Sequence, residues 1–220
     1  DFDIPDPLIW LSYIAAATTK IRLGTGVMII PQRNPLVTAK AVATLDRLSK
    51  GRMILGVGSG WLEEEFQALG IPFERRGDRT DEYLRAMRAA WSDETASFDG
   101  DFVQFSDVYS RPQPIDRHVP IIVGGHSKRA ARRAGEIGDG FFPGRGRPEE
   151  LSALFDHARR MAEECGRDPE ALEFTAGGPT TPEYVEQLAA IGVSRMIVPP
   201  MDPSQFAKFG DEVVAAFSSI

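Results

Sequence analysis

The residues with the clearest chemical content lie in "IIVGGHSKRAARRAGEIGDG". A β-rich run from Ile121 ends in Gly124 and Gly125, and Ser127 follows His126 in position to cap a helix. The first N–H groups of a helix are unpaired and sit at the positive end of its dipole, so this spot suits an anion. Lys128 and Arg129 fall in the same first turn, where the dipole disfavours cations, and a bound phosphate would neutralise them. The competing reading makes Lys128, Arg129, Arg132 and Arg133 a solvated basic face. Arg145 in "FFPGRGR", after the next β-rich run, is a further candidate for the same anion.

Glycine is the second chemical signal. "GVGSGWLEEEF" puts Gly56, Gly58 and Gly60 directly after the run "RMIL", with Trp61 beside them. Glycine in a strand costs about 0.5–1 kcal/mol unless φ must be positive or something approaches the backbone closely. The same thinning recurs at Gly24 and Gly26, at Gly124 and Gly125, at Gly144 and Gly146, and at Gly177 and Gly178. Together these ends suit a large flat ligand lying against backbone, whereas each alone is also consistent with a tight turn. Glu63, Glu64 and Glu65 open a helix, where acidic residues suit the dipole. Arg76 and Glu82 read as an ion pair, His118 as structural, and Leu84, Met87 and Trp91 as one core-facing helical stripe.

The elements that must position these groups repeat. Unalternating apolar runs begin at Ile21, Arg52, Ile121, Gly140, Leu172 and Arg195, the pattern of strands buried on both faces of a parallel sheet. Helical segments lie between them: "NPLVTAKAVATLDRLSKG" with Asn34 as cap and Gly51 as stop, "SKRAARRAGEIG", "RPEELSALFDHARRMAEECG" and "TPEYVEQLAAIG". A helix capped by Asp6 precedes the first run, and a last one runs from about Pro203 to Phe217. The order predicts an α/β fold. Residues 71–117 read as an insertion in a βα loop of one domain spanning 1–220, with a helix capped by Asp78 and a two-residue hairpin turn at Asp99 and Gly100. A closed parallel barrel needs eight strands, and the missing two units would occupy roughly 60 residues. The expectation is therefore a (β/α)8 barrel lacking its first two βα units in this chain, with an open six-stranded doubly wound sheet as the alternative.

Composition limits the partners. Apolar residues make up 42% of 220, and the formal net charge is −7, which argues against nucleic acid or an anionic membrane as partner. Cys165 is the only cysteine, so no internal disulfide forms and a reducing cytoplasm fits. His118, His126 and His157 lack metal-ligand spacing. No apolar run is long enough to span a bilayer.

In their order, "LGTGV", "DRLSKGRMILGVGSGW" and "VGGHS…GDGFFP" make the chain resemble the bacterial luciferase-like monooxygenases, nearest to the oxidoreductases that use the deazaflavin coenzyme F-420. The resemblance covers essentially the whole chain. It implies a TIM barrel, a homodimer, and coenzyme F-420 or FMN at the strands' C-terminal ends. It also implies oxidoreductase or monooxygenase chemistry on a small organic substrate, by hydride transfer or oxygen activation. Gly26, Val27 and Met28 would lie against the ring, with a bulge and a cis peptide between Gly26 and Val27. Gly58, Ser59 and Gly60 would form a wall beneath it, with Trp61 at the pocket border and Glu64 as a polar contact. Gly124, Gly125, His126 and Ser127 would hold the phosphate, helped by Gly144 and Arg145. The family's usual acid/base residue falls upstream of Asp1, so no catalytic residue is assigned. A non-catalytic flavin-binding paralogue is the alternative.

Overall fold

The computed structural model describes residues 3–215. It comprises two compact units, Asp1–Gly124 and Gly125–Ile220. Each alternates parallel strands with helices, as the apolar runs predict.

In the first unit the run at Ile21 forms two short strands, β1 (Leu23–Gly24) and β2 (Met28–Ile29), with a cis Gly26–Val27 peptide between them. Both pair in parallel with β3 (Met53–Gly58), with Leu23 opposite Met53 and Met28 opposite Val57. The strand at Ile121–Gly124, β6 in chain order, pairs with β3 in turn, with Leu55 opposite Ile121. Every residue of β3 is buried, which explains its lack of alternation. Helix α1 (Pro7–Ala17) is capped by the Asp6 carboxylate, which accepts from the Leu8 and Ile9 amides. Helix α2 (Pro35–Ser49) is capped by Asn34. Its end uses Lys50 at φ 61° as well as Gly51 at φ 79°, so the left-handed exit starts one residue before the expected glycine. Arg52 ties α1 to the start of β3: its guanidinium donates to the Ser49, Ala15, Thr18 and Ile21 carbonyls and to Thr18 Oγ1, at 2.7 to 3.0 Å.

Helices α3 (Glu63–Ala68) and α4 (Arg76–Ser92) follow. Leu84, Met87 and Trp91 of α4 are fully buried, and the Trp91 indole donates to the Ala39 carbonyl at 2.9 Å. Burying side chains such as Leu84 and Met87 contributes about 1.5–3 kcal/mol each. Three expectations for this region change. Asp78 does not cap α4: the helix starts earlier, after Arg75 at φ 54°, and Asp78 pairs with Arg75 from within the first turn. The hairpin of β4 (Ala96–Asp99) and β5 (Gln104–Val108) has a four-residue loop, not a two-residue turn. The cause is Glu82, whose carboxylate accepts from the Asp101, Phe102 and Val103 amides at 2.7 to 2.9 Å and holds the wider loop. Glu82 is thus not paired with Arg76, which donates instead to the Gly60 carbonyl and lies over the Phe73 ring.

In the second unit β7 (Gly140–Phe142), β8 (Glu173–Gly177) and β9 (Val193–Ile197) pair in parallel in that order. Helices α5 (Lys128–Ile137), α6 (Pro148–Glu164), α7 (Pro182–Ala190) and α8 (Pro203–Phe209) intervene or follow. After α8 the chain makes a wider π-type turn over Gly210–Val214, and the expected end of that helix near Phe217 lies outside the described residues. Phe155 packs between Phe141 and Phe174, at centroid distances of 6.1 and 4.3 Å. Helices α5 and α6 approach at Gly135, where a Cβ would lie 2.6 Å from that of Met161.

Candidate functional site

The glycine turn and the helix cap expected at residues 125–127 form within the second unit. Gly125 has φ +129°, and a Cβ there would come within 3.1 Å of Ala130. Glycine is therefore required both by conformation and by the approach of α5. Ser127 caps α5, its Oγ accepting from the Ala130 amide at 3.2 Å. His126 is tied down by Nδ1, 3.0 Å from the Pro143 carbonyl. A carbonyl only accepts, so Nδ1 carries the proton and Nε2 is left for another partner. The Gly125 amide donates to the Phe142 carbonyl at 3.1 Å. These contacts bring residues 125–127 beside residues 143–147, the loop that carries Gly144 and Arg145. Lys128 and Arg129 are exposed. The basic face proposed as the alternative is incomplete, because Arg133 is buried and Arg132 pairs with Glu136 at 2.8 Å.

The loop after β7 borders an open cavity of about 1100 Å³. Its lining includes Gly144, Arg145, Gly177, Gly178, Tyr184 and Pro199, so it lies at the C-terminal ends of β7, β8 and β9. Gly144 has φ +93° with nothing within 4 Å of a notional Cβ. Arg145 is exposed and its guanidinium has no partner among the described residues. At the rim, Arg147 donates to Glu150 at 2.6 Å, and this hydrogen bond holds the Glu150 carboxyl below its ordinary range. Sequence reasoning passed over Tyr184. Burial raises its phenol pKa, and its hydroxyl donates to the Gly146 carbonyl at 2.8 Å. The signal for it is Gly178, where a Cβ would lie 2.7 Å from Tyr184 Cζ.

The glycines of the first unit have a different explanation. At Gly56 a Cβ would fall on the Thr25 carbonyl, and Thr25 Oγ1 donates to the Gly56 carbonyl at 2.6 Å. At Gly58 it would meet Val27 at 3.0 Å, and at Gly60 it would meet Phe66 at 2.7 Å. At Gly124 it would meet Val27 at 2.8 Å. What approaches these glycines is the protein itself. Met28 is a core side chain, 2% exposed. Ser59 Oγ accepts from Thr80 at 3.1 Å. Gly26 is exposed with open space where a Cβ would be, Trp61 is 80% exposed, and Glu64 is exposed. Gly24, Thr25 and Gly26 line a cavity of about 580 Å³ together with Ile4, Trp10 and Leu11. Among the described residues no helix is long and apolar enough to cross a membrane, and no cluster of three or more His, Cys, Asp or Glu could hold a metal.

The family model for luciferase-like monooxygenases matches residues 1–208. The chain is 35% identical over 183 residues to an F420-dependent glucose-6-phosphate dehydrogenase of Kineococcus radiotolerans, covering 80% of this chain and 53% of that protein. It is 32% identical over 204 residues to an FMNH2-dependent dimethylsulfone monooxygenase of Pseudomonas putida, covering 91% and 55%. The coenzyme F420-dependent tetrahydromethanopterin reductase of Methanopyrus kandleri shares the fold with a TM-score of 0.84 at 18% identity, over 97% of this chain and 88% of that one. The chain spans 42% to 64% of the length of the curated relatives it matches, the dehydrogenase and the dimethylsulfone monooxygenase among them. The fold class is the α/β barrel type expected from the sequence.

Proposed function

Since the chain belongs to the luciferase-like monooxygenase family, we propose that it serves an oxidoreductase that uses FMN or coenzyme F-420 on a small organic substrate. When bound, such a cofactor supplies the hydride transfer or oxygen activation, and the protein supplies position and a dry pocket. One observation carries the reading: in the second unit a left-handed glycine, a capped helix start and a tethered histidine converge beside a loop bearing an unpaired arginine. These groups fit a phosphate. Gly125 clears the approach, the first-turn amides of α5 donate, and Arg145 supplies charge. For the first unit we propose Gly26, Trp61 and Glu64 as the ligand-facing residues, because they are exposed. Val27, Ser59 and Gly60 contribute mainly by shaping the wall. A homodimer is a further proposal, supported by the exposed Ile9, Trp10 and Tyr13 of the uncharged helix α1.

The test is titration of FMN and of coenzyme F-420 against the parent and a Gly125→Asp variant, with circular dichroism to verify folding. The added carboxylate stands where the anion would lie and removes a charge-assisted hydrogen bond. Affinity should fall roughly 10- to 100-fold. Ser127→Ala should cost less, because water partly replaces the hydroxyl. A folded Gly125→Asp protein that binds as tightly as the parent puts the phosphate elsewhere.

A further inference from the structure

We propose that Tyr184 is a positioning residue for the anion-binding loop, an inference that rests on the phosphate reading above. The loop is fixed on both sides of Arg145. Before it, the Gly144 carbonyl accepts from the Gly177 amide at 2.8 Å, and Arg145 itself bridges to Gly177 in parallel. After it, the Gly146 carbonyl accepts from the Tyr184 hydroxyl at 2.8 Å. Between these two anchors only the Arg145 side chain is left exposed and unpaired among the described residues. The same loop touches the turn at residues 125–127, because a Cβ on Gly146 would lie 3.3 Å from His126 Cε1.

The hydroxyl has an electrostatic task that packing alone does not require. A backbone carbonyl carries negative partial charge, and one facing a phosphate would repel it. The Tyr184 hydroxyl engages the Gly146 oxygen and fixes the direction of that dipole. The ring is admitted by Gly178, since any side chain there would fall on it. The helix start that carries the ring is fixed as well: Thr181 caps α7, with its hydroxyl accepting from the Tyr184 amide. Phenylalanine would fill the same space, so the hydroxyl and the ring are separable.

The experiment compares the parent with Tyr184→Phe, both verified by circular dichroism and thermal melting. The probes are FMN against riboflavin, and coenzyme F-420 against the deazaflavin riboside that lacks its phosphate. The quantity read is the affinity ratio of each phosphorylated ring to its phosphate-free counterpart. If Tyr184 positions the loop, the ratio falls roughly 3- to 10-fold in the variant, the worth of one neutral hydrogen bond, while the phosphate-free ring binds as before. A purely structural tyrosine would weaken both members of a pair together and leave the ratio unchanged, which overturns the inference while the phosphate reading stands. A parent that binds neither phosphorylated ring better than its counterpart overturns both.

Discussion

Glycine does opposite work at two strand ends, that of β3 and that of β7. At Gly56, Gly58 and Gly60 the missing side chains are replaced by protein: the Thr25 carbonyl, Val27, and Phe66. At Gly144 the missing side chain is replaced by nothing, and the backbone adopts a φ that side chains rarely tolerate. One set of glycines closes a core and the other leaves a surface concave. A run of glycines after a strand therefore marks close approach of something, and only the surrounding atoms say whether that something is a ligand.

Substitutions can break or sharpen this contrast. The largest effect is expected at Gly56, where alanine would set a methyl on the Thr25 carbonyl and disrupt the chain between β1 and β2. Urea unfolding should show a loss of about 3 kcal/mol or more, or no folded protein. A Gly56→Ala protein as stable as the parent would mean the strand end has slack that the geometry denies. Gly144→Ala meets no atom but must hold φ near +93°, so the cost should be that of strained backbone alone, about 1–2 kcal/mol by the same measurement. A loss as large as at Gly56 would show that the loop is packed rather than open. Gly26→Ala has neither a clash nor a positive φ, and its stability should stay within about 0.5 kcal/mol of the parent. Its diagnostic readout is ligand affinity. Weaker cofactor binding at unchanged stability would mark Gly26 as the one member of its cluster that faces a ligand.

The parts of the fold that local chemistry dictates were legible. Asp6, Asn34 and Ser127 each cap the helix that follows, because a short side chain before a helical run has one favourable use there. The stripe of Leu84, Met87 and Trp91 is buried as its spacing predicts. Errors fell where a distant residue decided a local outcome. Aspartate before glycine signals a tight turn, but Glu82 offers three amides a shared acceptor and the loop widens to meet it. Asp78 has the chemistry of a cap but is drawn to Arg75, which itself adopts the left-handed conformation that opens α4. The turn and cap at residues 125–127, on which the phosphate proposal rests, were legible because the residues that make them are contiguous. Tyr184 was not, because its partner Gly146 lies 38 positions away and neither residue is unusual alone.

Arg52 has a consequence for motion rather than for shape. Helix α1 carries no charged residue and exposes Ile9, Trp10 and Tyr13; it buries Leu8 and Ala15, and its cap Asp6 pairs with Arg33 at the N-terminal end. Its last carbonyls are gathered by a side chain rooted immediately before the most buried strand of the unit. To fray, the helix end must release a guanidinium that is also bound to Ser49 and Ile21, so several bonds part together or none do. The escape of α1 is thereby linked to the breathing of β3, so the end of a half-exposed helix is tied to a strand that is buried throughout.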